Sequence, residues 1–386
     1  MREIRILLAG GGTGGHIYPL VAVAQKLQGT KLHYFGDPGL FRNYLESNGI
    51  IVHKIMSSKF RRYFSLLNFM DFFKFCFGIC QGLWKIFWIM PDLAFSKGGP
   101  GSLAVILVCK FYKIPIVIHE SDAVPGLTNR ISAKYAQKIE LAFNEAKEYF
   151  EKINTKAEIK TVGQPVREEL LLEDDSAAAK KSFGFHPEKP VVLIVGGSQG
   201  AEKINDFVLE NLESITSKFQ ILHSIGANNY GQYKLEFDFA SKDISPELLK
   251  NYRFAPYFYT AGEAITEEKR SLKEAYDAAD VIVSRAGASA IFEIAARGKP
   301  SILIPLPTSA NGHQEQNAYI YGQTGAAIIL EEENFLENIF INALSKILSD
   351  KEAITKMSSA ARNFYKPAAA QKISDDIVSL ITNIKT

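Results

Sequence analysis

A glycine-rich loop near the amino terminus carries the clearest chemistry in the sequence. Five of the six positions from Gly10 to Gly15 are glycine, and His16 follows directly. An apolar run at 6–9 predicts a buried strand before the loop, and the run at 22–27 predicts a helix after it. Glycine lets the backbone approach an anion closely, and a helix N-terminus offers free N–H groups. The segment therefore predicts a phosphate-binding turn with a titratable imidazole beside the anion.

Two less specific interpretations fit the same loop. Its spacing satisfies the dinucleotide fingerprint, and Asp37 ends the next strand-like run, which would suit an NAD-dependent dehydrogenase. A tight packing turn without a ligand also selects glycine. A second apolar strand and glycine turn at 191–201 favours a different class, because two such turns indicate two doubly wound α/β domains. A dehydrogenase normally needs only one.

Apolar runs alternate with helical stretches in both halves, which is typical of open parallel sheets. We expect strands at 6–9, 32–35, 51–55, 93–96, 116–119, near 139, 191–195, 221–225, 281–284 and 301–305. Residues 168–190 are expected to connect the domains, and a helix is expected from Ala361 onward. Ligands gather at the carboxyl ends of parallel strands, where the motifs of this chain lie.

The composition excludes several classes of protein. A chain of 386 residues with 47% hydrophobic and 22% charged residues suits two soluble α/β domains and not a disordered chain. Its three cysteines form no Cys-x-x-Cys pair, which favours a reducing compartment and argues against structural zinc. No Asp-x-Asp pair occurs, so the usual ligands of a diphosphate-bound divalent metal are missing. We therefore expect no cofactor and a metal-independent reaction.

One segment of the first half is both basic and aromatic. Between Lys59 and Lys113 there are eight basic and two acidic residues, and 60–90 contains eleven aromatic residues, including Trp84 and Trp88. The longest uncharged run, at 75–84, is ten residues, which is too short to span a bilayer. The segment is either a helix buried on the sheet or a surface that dips into anionic lipid. Tryptophan and phenylalanine beside lysine and arginine favour the lipid surface, so we expect a membrane partner and no nucleic acid.

Four residues suit a nucleotide sugar bound between two such domains. Ser198 on the second glycine turn could donate to a diphosphate, and Arg167 could offer it a guanidinium fork. Glu293, expected on the first turn of a helix, suits a pair of ribose hydroxyls, although it could simply stabilise the helix N-terminus. Gln314, expected on a polar loop, both donates and accepts, as recognition of sugar hydroxyls requires.

The base that would deprotonate an acceptor hydroxyl has three candidates. His16 lies in the first glycine loop, and Glu120 and Asp122 follow the predicted fifth strand. Each has a side chain that can take a proton, and the sequence leaves the choice among them open. His16 could equally bind an acceptor diphosphate.

Several motifs occur together in order along the chain: Gly11–His16, His119–Asp122, Gly126–Asn129, Gly163–Arg167, Gly196–Ala201 and Ser284–Glu293. With them, the chain closely resembles the MurG family of bacterial glycosyltransferases over essentially its whole length. The resemblance implies a GT-B fold of two Rossmann-like domains facing each other across a cleft. It implies domains at 1–163 and 164–366, with a helix at 367–386 packing back on the first.

The resemblance also implies the reaction and its location. The donor would be UDP-N-acetylglucosamine, and the acceptor would be lipid I, the undecaprenyl-diphosphate-linked N-acetylmuramyl-pentapeptide. The product would be lipid II of peptidoglycan synthesis, formed with inversion at the anomeric carbon. The protein would sit peripherally on the cytoplasmic face of the cell membrane.

Carried over by position, the resemblance implies the following ligand contacts. Thr13, Gly14 and Gly15 approach the donor sugar, Arg167 and Ser198 hold its diphosphate, Ala288, Ser289, Ala290, Ile291, Phe292 and Glu293 enclose diphosphate and ribose, His313 and Gln314 lie at the sugar, and Phe258 lies near uracil. Three positions depart from the family pattern: Asp122 replaces an amide, Gln164 replaces asparagine and Ala290 replaces threonine. Asp122 is also expected at the acceptor.

Two other functions fit the same residues. One is a glycosyltransferase of the same fold that uses a diacylglycerol or another aglycone as acceptor, although the 10–16 loop favours a diphosphate. The other is a non-catalytic scaffold that binds a nucleotide sugar at the membrane. Candidates for every catalytic role are present, which argues against a scaffold.

Overall fold

The computed structural model describes residues 3–56, 66–153, 156–197, 200–260 and 271–385. The chain forms two compact units. Unit 1 comprises Met1–Arg167 with Lys366–Thr386, and unit 2 comprises Glu168–Tyr365.

Each unit is built on one parallel sheet. The strands are β1 (Arg5–Ala9), β2 (Lys31–Gly36), β3 (Ile50–Lys54), β4 (Leu93–Ser96), β5 (Ile116–Glu120), β6 (Lys138–Leu141), β7 (Glu158–Thr161), β8 (Val191–Val195), β9 (Gln220–Ser224), β10 (Tyr252–Ala255), β11 (Val281–Ser284), β12 (Ser301–Leu303) and β13 (Ala327–Ile329). The first sheet has the order β3-β2-β1-β4-β5-β6-β7, and the second has the order β10-β9-β8-β11-β12-β13. All of these pairings are parallel, which confirms the predicted α/β class.

Central strands are continuous apolar runs because helices cover both faces of a parallel sheet. The side chains of Ile6, Leu7 and Leu8 on β1 are completely buried, as are those of Val191 to Ile194 on β8. The strands β7, β10 and β13, which the sequence pattern did not predict, each lie at a sheet edge. Most of their side chains are only half-buried, so no long apolar run marks them.

The helices surround these sheets. They are α1 (Gly14–Ala24), α2 (Arg42–Ser47), α3 (Leu66–Ile89), α4 (Ser102–Phe111), α5 (Leu127–Ser132), α6 (Lys147–Glu151), α7 (Ser176–Ser182), α8 (Glu202–Glu210), α9 (Leu212–Lys218), α10 (Tyr230–Ala240), α11 (Pro246–Leu249), α12 (Leu272–Ala278), α13 (Ala288–Ala296), α14 (His313–Gln323), α15 (Glu337–Leu348), α16 (Lys351–Phe364) and α17 (Ala369–Lys385).

Helix α1 begins inside the glycine run, and not at residue 22 as the apolar pattern predicts. Gly14 is its first residue, so His16 lies on the first turn of the helix. Pro19 sits within α1 and removes one backbone donor, so this part of the helix has no local sequence signal.

The predicted helix from Ala361 onward is two helices. Pro367 and Ala368, whose φ of 60° is left-handed, interrupt it between α16 and α17. Helix α17 belongs to unit 1, where Ile373, Ile377 and Ile381 join the core on one face of the sheet.

Residues 168–190 belong to unit 2 and do not form a simple connection. The guanidinium of Arg297 donates to the carbonyls of Leu170 at 3.2 Å and Leu172 at 2.8 Å. It also pairs with Asp174 and with the buried Asp277. The charged residues of this stretch therefore help to hold it on the second unit.

Helix α3 carries an exposed aromatic surface on unit 1. Its inner face packs against α4, with Ile86 buried, and a Cβ at Gly82 would lie 3.2 Å from Val108. We call its outer face, together with the end of α4, the aromatic stripe: Phe72, Phe73, Phe77, Trp84, Phe87, Trp88 and Phe111. Trp84 and Trp88 are 68% and 65% exposed. The helix is therefore neither fully buried nor polar on its outer side.

Among the described residues, one helical stretch, Asp71–Ile89, is long and apolar enough to cross a membrane by length and composition alone. The expectation from the ten-residue uncharged run was that no stretch would qualify. Lys74 and Lys85 bound the ten-residue uncharged run, and the longer stretch of 19 residues that contains both of them still has a mean hydropathy of 1.2. A core helix of a soluble protein passes the same test.

Candidate active site

The first sheet reverses its strand order between β1 and β4, which is where open α/β sheets bind ligands. The loops that follow these two strands touch at the backbone. A Cβ at Gly99, whose φ is 87°, would lie 3.0 Å from the Gly11 nitrogen and 3.1 Å from Nε2 of His16. Glycine is required there because a side chain would push the two loops apart.

Contacts with β2 and the residues after it hold the glycine loop in place. The Tyr34 hydroxyl donates to the Gly10 carbonyl at 2.9 Å. A Cβ at Gly12 would lie 2.5 Å from the Asp37 carbonyl oxygen. The Asp37 carboxylate forms an ion pair with Lys54 at 3.7 Å. The Asp37 backbone therefore packs against the glycine loop, and its half-exposed carboxylate lies beside a lysine.

His16 is positioned by the residue that caps its helix. Thr13 is the N-cap of α1, and its Oγ1 lies 2.9 Å from Nδ1 of His16. Gly14 and Gly15 are the first two helical residues, so their N–H groups belong to the end of the helix that favours anions. The half-buried imidazole therefore lies at the N-terminus of α1, the end of a helix that favours anions.

Arg167 ends unit 1 beside the same helix. Its guanidinium carbon lies 4.2 Å from the ring centroid of Tyr18, a residue of α1. Such stacking restricts the guanidinium plane while its N–H groups remain suited to phosphate oxygens. Thr13, Gly14, Gly15, His16 and Arg167 are thus brought to one side of unit 1.

Glu120 organises the turn that follows β5. Its Oε1 accepts from the Asp122 N–H at 3.0 Å, and its Oε2 accepts from the Gly126 N–H at 3.1 Å and the Asn129 amide at 3.0 Å. Burial, and then the charge of Asp122, raises the pKa of Glu120 to about 7, although the hydrogen bonds oppose the rise. With both oxygens engaged, Glu120 is better placed to hold the turn than to take a proton from a substrate.

Lys97, which the sequence analysis counted only as part of the basic segment, lies beneath this turn. Its ammonium is buried and donates to His119 Nδ1 at 2.5 Å, Ser121 Oγ at 2.7 Å and Gln164 Oε1 at 3.2 Å. Burial lowers the pKa of Lys97 to about 7, and the charges of Glu120 and Asp122 oppose the shift. A lysine directly after a buried strand was the available signal for this cluster.

The second sheet reverses its order between β8 and β11. Ser198, on the loop after β8, lies outside the described residues. Helix α13 follows β11, with Gly287 as its N-cap and Ala288 as its first residue. Ser289 and Ala290 are half-exposed at this N-terminus, where a phosphate would be stabilised.

The remaining side chains predicted on α13 point inward. Ile291 and Phe292 are buried, and Phe292 packs against Phe364 with ring centroids 5.1 Å apart. The sequence predicts Glu293 on the first turn of a helix, but it is the sixth residue of α13 and lies beyond the first turn. It is only 6% exposed, and the Tyr276 hydroxyl donates to its Oε2 at 3.4 Å. The helix N-terminus is thus not what stabilises this carboxylate.

The sequence predicts Gln314 on a polar loop, but it lies on the first turn of α14. Its Oε1 accepts from the Leu306 N–H at 3.1 Å, which orients the amide nitrogen as the donor for a ligand. The neighbouring His313 uses Nδ1 to donate to the Ala310 carbonyl at 2.7 Å. Asn311, with a φ of 58°, forms the sharp bend that allows the helix to start here.

Phe258 is only 5% exposed and contacts Phe183 edge-on, with ring centroids 6.1 Å apart. Its ring therefore belongs to the interior of unit 2. The rings of Tyr257 and Tyr259 are half-buried and lie 4.2 Å apart.

Arg285 is a second cation that the sequence analysis did not single out. Its Nη1 donates to the carbonyls of Ile304 and Pro305 at 3.3 and 3.4 Å and to Glu332 at 2.9 Å. It therefore joins the carboxyl ends of β11 and β12, from which α13 and the Gln314 segment emerge.

No group of three or more histidine, cysteine, aspartate or glutamate side chains suited to a metal ion occurs among the residues that the structure describes.

Two doubly wound units, each with helix N-termini at its switch point, are the architecture of the GT-B class, and the family matches show that the chain is a glycosyltransferase of this class. Residues 6–141 match the glycosyltransferase family 28 N-terminal domain, and residues 191–375 match the glycosyltransferase family 28 C-terminal domain. The chain belongs to glycosyltransferase family 28.

Within this family, the chain is similar to curated relatives that share one name. Two of them, from Clostridium tetani and Legionella pneumophila (strain Lens), are called UDP-N-acetylglucosamine--N-acetylmuramyl-(pentapeptide) pyrophosphoryl-undecaprenol N-acetylglucosamine transferase. The first is 35% identical over 99% of this chain and 98% of its own length. The second is 33% identical over 97% of this chain and 96% of its own length.

Solved structures agree on the fold. MurG of Acinetobacter baumannii, 24% identical, superposes with a TM-score of 0.68 over 97% of this chain and 99% of its own. A glycosyltransferase from Rickettsia africae, 12% identical, gives a TM-score of 0.64 over 99% of both chains.

Proposed function

We propose that this chain transfers N-acetylglucosamine from UDP-N-acetylglucosamine to the 4-hydroxyl of the N-acetylmuramyl sugar of lipid I, forming lipid II with inversion. The observation that carries the proposal is the 35% identity, over 99% of the chain, to a relative named for this transfer. The residues at both switch points supply chemistry that such a reaction needs.

The reaction needs a base, an anion site and a way to stabilise the leaving group. The acceptor oxygen forms a bond to the anomeric carbon while the bond to the UDP oxygen breaks on the opposite face. In unit 1, His16 takes the hydroxyl proton, and the 119–122 turn binds the acceptor. In unit 2, the N-terminus of α13 stabilises the charge that develops on UDP, Glu293 accepts from the ribose, and Gln314 binds the sugar.

The proposed reaction is independent of metal ions. Arg167, Ser198 and two helix N-termini are the proposed substitutes for a divalent cation at the diphosphate. We therefore expect turnover to be unchanged after dialysis against EDTA, measured by release of UDP. A requirement for added Mg²⁺ would contradict this mechanism.

We propose that the aromatic stripe seats the enzyme on an anionic membrane, where lipid I resides. Lys74, Lys110 and Lys113 are exposed beside the stripe. Aromatic side chains with flanking lysines are the composition of a surface that inserts between lipid head groups. The enzyme would then be peripheral on the cytoplasmic face, where nucleotide sugars are available.

Both tryptophans of the chain lie on the stripe, so tryptophan emission reports on it alone. We expect the emission to shift to the blue with phosphatidylglycerol vesicles and the binding to weaken with salt. The double variant Phe73→Ser/Phe77→Ser should partition about tenfold less, because two exposed rings lose their apolar burial. Phe239→Ser, which removes an exposed ring from α10 in unit 2, is the control. Equal binding by all three proteins would refute the docking surface.

The acceptor is tested by turnover of labelled UDP-N-acetylglucosamine with lipid I and, separately, with diacylglycerol. We expect product only with lipid I. Transfer to diacylglycerol would assign the chain to the alternative acceptor class. Tight binding of the nucleotide sugar without turnover on either acceptor would indicate a scaffold.

A further inference from the structure

The ammonium of Lys97 joins three segments of unit 1. Lys97 follows β4, His119 and Ser121 lie at the end of β5, and Gln164 lies in the segment that leads to Arg167. A lysine ammonium has three N–H donors, and here each has an acceptor within 3.2 Å. All three acceptors are uncharged, so none of them neutralises the charge of the ammonium. That charge therefore also acts on charged groups that lie farther away.

These contacts assign the protonation of His119. Its Nε2 lies 2.9 Å from the Gly163 carbonyl oxygen, which can only accept, so Nε2 carries a proton. Its Nδ1 accepts from the ammonium and is therefore bare. Burial and the charge of Lys97 hold the pKa of His119 well below its usual range. His119 is thus a neutral link between Lys97 and Gly163, not a proton acceptor for substrate.

The charge of Lys97 faces the groups that form the acceptor side of unit 1. Glu120 and Asp122 face it from β5 and the turn beyond, and both favour its charged form. His16 lies beside the glycine turn that follows Lys97, because a Cβ at Gly99 would lie 3.1 Å from its Nε2. Burying an ammonium that has no carboxylate in contact costs free energy. A neutral side chain could fill the same space without that cost, so the charge itself is expected to have a role.

We propose that Lys97 is a positioning residue for the acceptor: its three hydrogen bonds fix the 119–122 turn relative to the Gly163–Arg167 segment. This inference rests on the proposed transferase function. It adds a residue that does not touch the substrate but sets the geometry of groups that do.

The test compares Lys97→Met with wild type, using the full-length protein, lipid I and UDP-N-acetylglucosamine. We expect kcat to fall by about a hundredfold, because a displacement of about 1 Å at a positioned group has an effect of that size. The donor KM should change much less than kcat, because Glu293 and Gln314, the proposed ribose and sugar contacts, lie in unit 2. Lys134→Met, the same change at an exposed lysine of unit 1, should match wild type.

The pH profile separates a charge effect from a structural one. In wild type we expect kcat to decline on both sides of a maximum near neutral pH, as Glu120 gains a proton below it and Lys97 loses one above it. In Lys97→Met the alkaline decline should vanish, because the group that loses its proton is absent, and the acid decline should remain. Ser121→Ala, which keeps the charge, should retain both declines. An alkaline decline that persists in Lys97→Met would overturn the proposal.

A second measurement does not depend on activity or on the variant being folded. Nitrogen-15 spectra of histidine-labelled wild type, with the ring signals of His119 assigned, should show that His119 remains neutral with Nε2 protonated from pH 6 to 8. A proton on Nδ1 of His119 would overturn the proposal. Absence of turnover by wild type would instead refute the transferase function, while this tautomer measurement would still decide the contacts of Lys97.

Discussion

Replacing Glu293 by alanine is expected to raise the KM for UDP-N-acetylglucosamine ten- to a hundredfold. The Glu293 side chain is buried on α13, and the Tyr276 hydroxyl donates to one of its carboxylate oxygens. A hydrogen bond from a sugar hydroxyl to a charged acceptor contributes about 1.5–3 kcal/mol, which corresponds to that range. Initial rates at varied donor concentration and saturating lipid I measure the change.

Two further variants distinguish ligand binding from packing. Glu293→Gln keeps the shape of the side chain and one acceptor oxygen, so its KM should lie between those of wild type and Glu293→Ala. Tyr276→Phe removes the hydroxyl that orients the carboxylate and should raise the KM less than Glu293→Ala does. An unchanged donor KM in Glu293→Ala, with a folded protein, would remove Glu293 from the donor site.

The sequence predicts the sheets better than the helix starts, for a physical reason. Strands buried on both faces, such as β1 and β8, need continuous apolar runs, and these are easy to recognise. The start of α1 is hidden because glycine and Pro19 disfavour a helix locally, and tertiary contacts of the loop override that preference. For the same reason, Gln314 was expected on a loop, although it begins α14.

Candidate site residues were predictable where glycine or helix-start signals mark a ligand, as at His16 and at Ala288. Lys97 and Arg285 were not, because each acts through contacts with strands that are distant in sequence. The position of Lys97 directly after a buried strand is a local signal, but it does not by itself show that the lysine is buried. The inward orientation of Ile291 and Phe292 likewise follows from packing that a motif alone does not specify.

Replacing His16 by alanine is expected to lower kcat by about 10² to 10⁴, the usual contribution of a general base, with little change in donor KM. The contacts of the three candidates favour His16 for this role. Both carboxylate oxygens of Glu120 accept hydrogen bonds within the turn, and Asp122 lies on that same turn. His16 lies half-buried where the loops after β1 and β4 meet, beside a hydroxyl that can orient its ring.

The hydroxyl of Thr13 gives this prediction a second test. If Nδ1 of His16 donates to Thr13 Oγ1, then Nε2 is bare and can accept the proton of the acceptor hydroxyl. Thr13→Val keeps the shape but removes the acceptor, so it should lower kcat by about tenfold, less than His16→Ala does. His186→Ala, a change at an exposed histidine of unit 2, is the matched control. Retention of kcat in His16→Ala together with its loss in Asp122→Asn would transfer the role of base to Asp122.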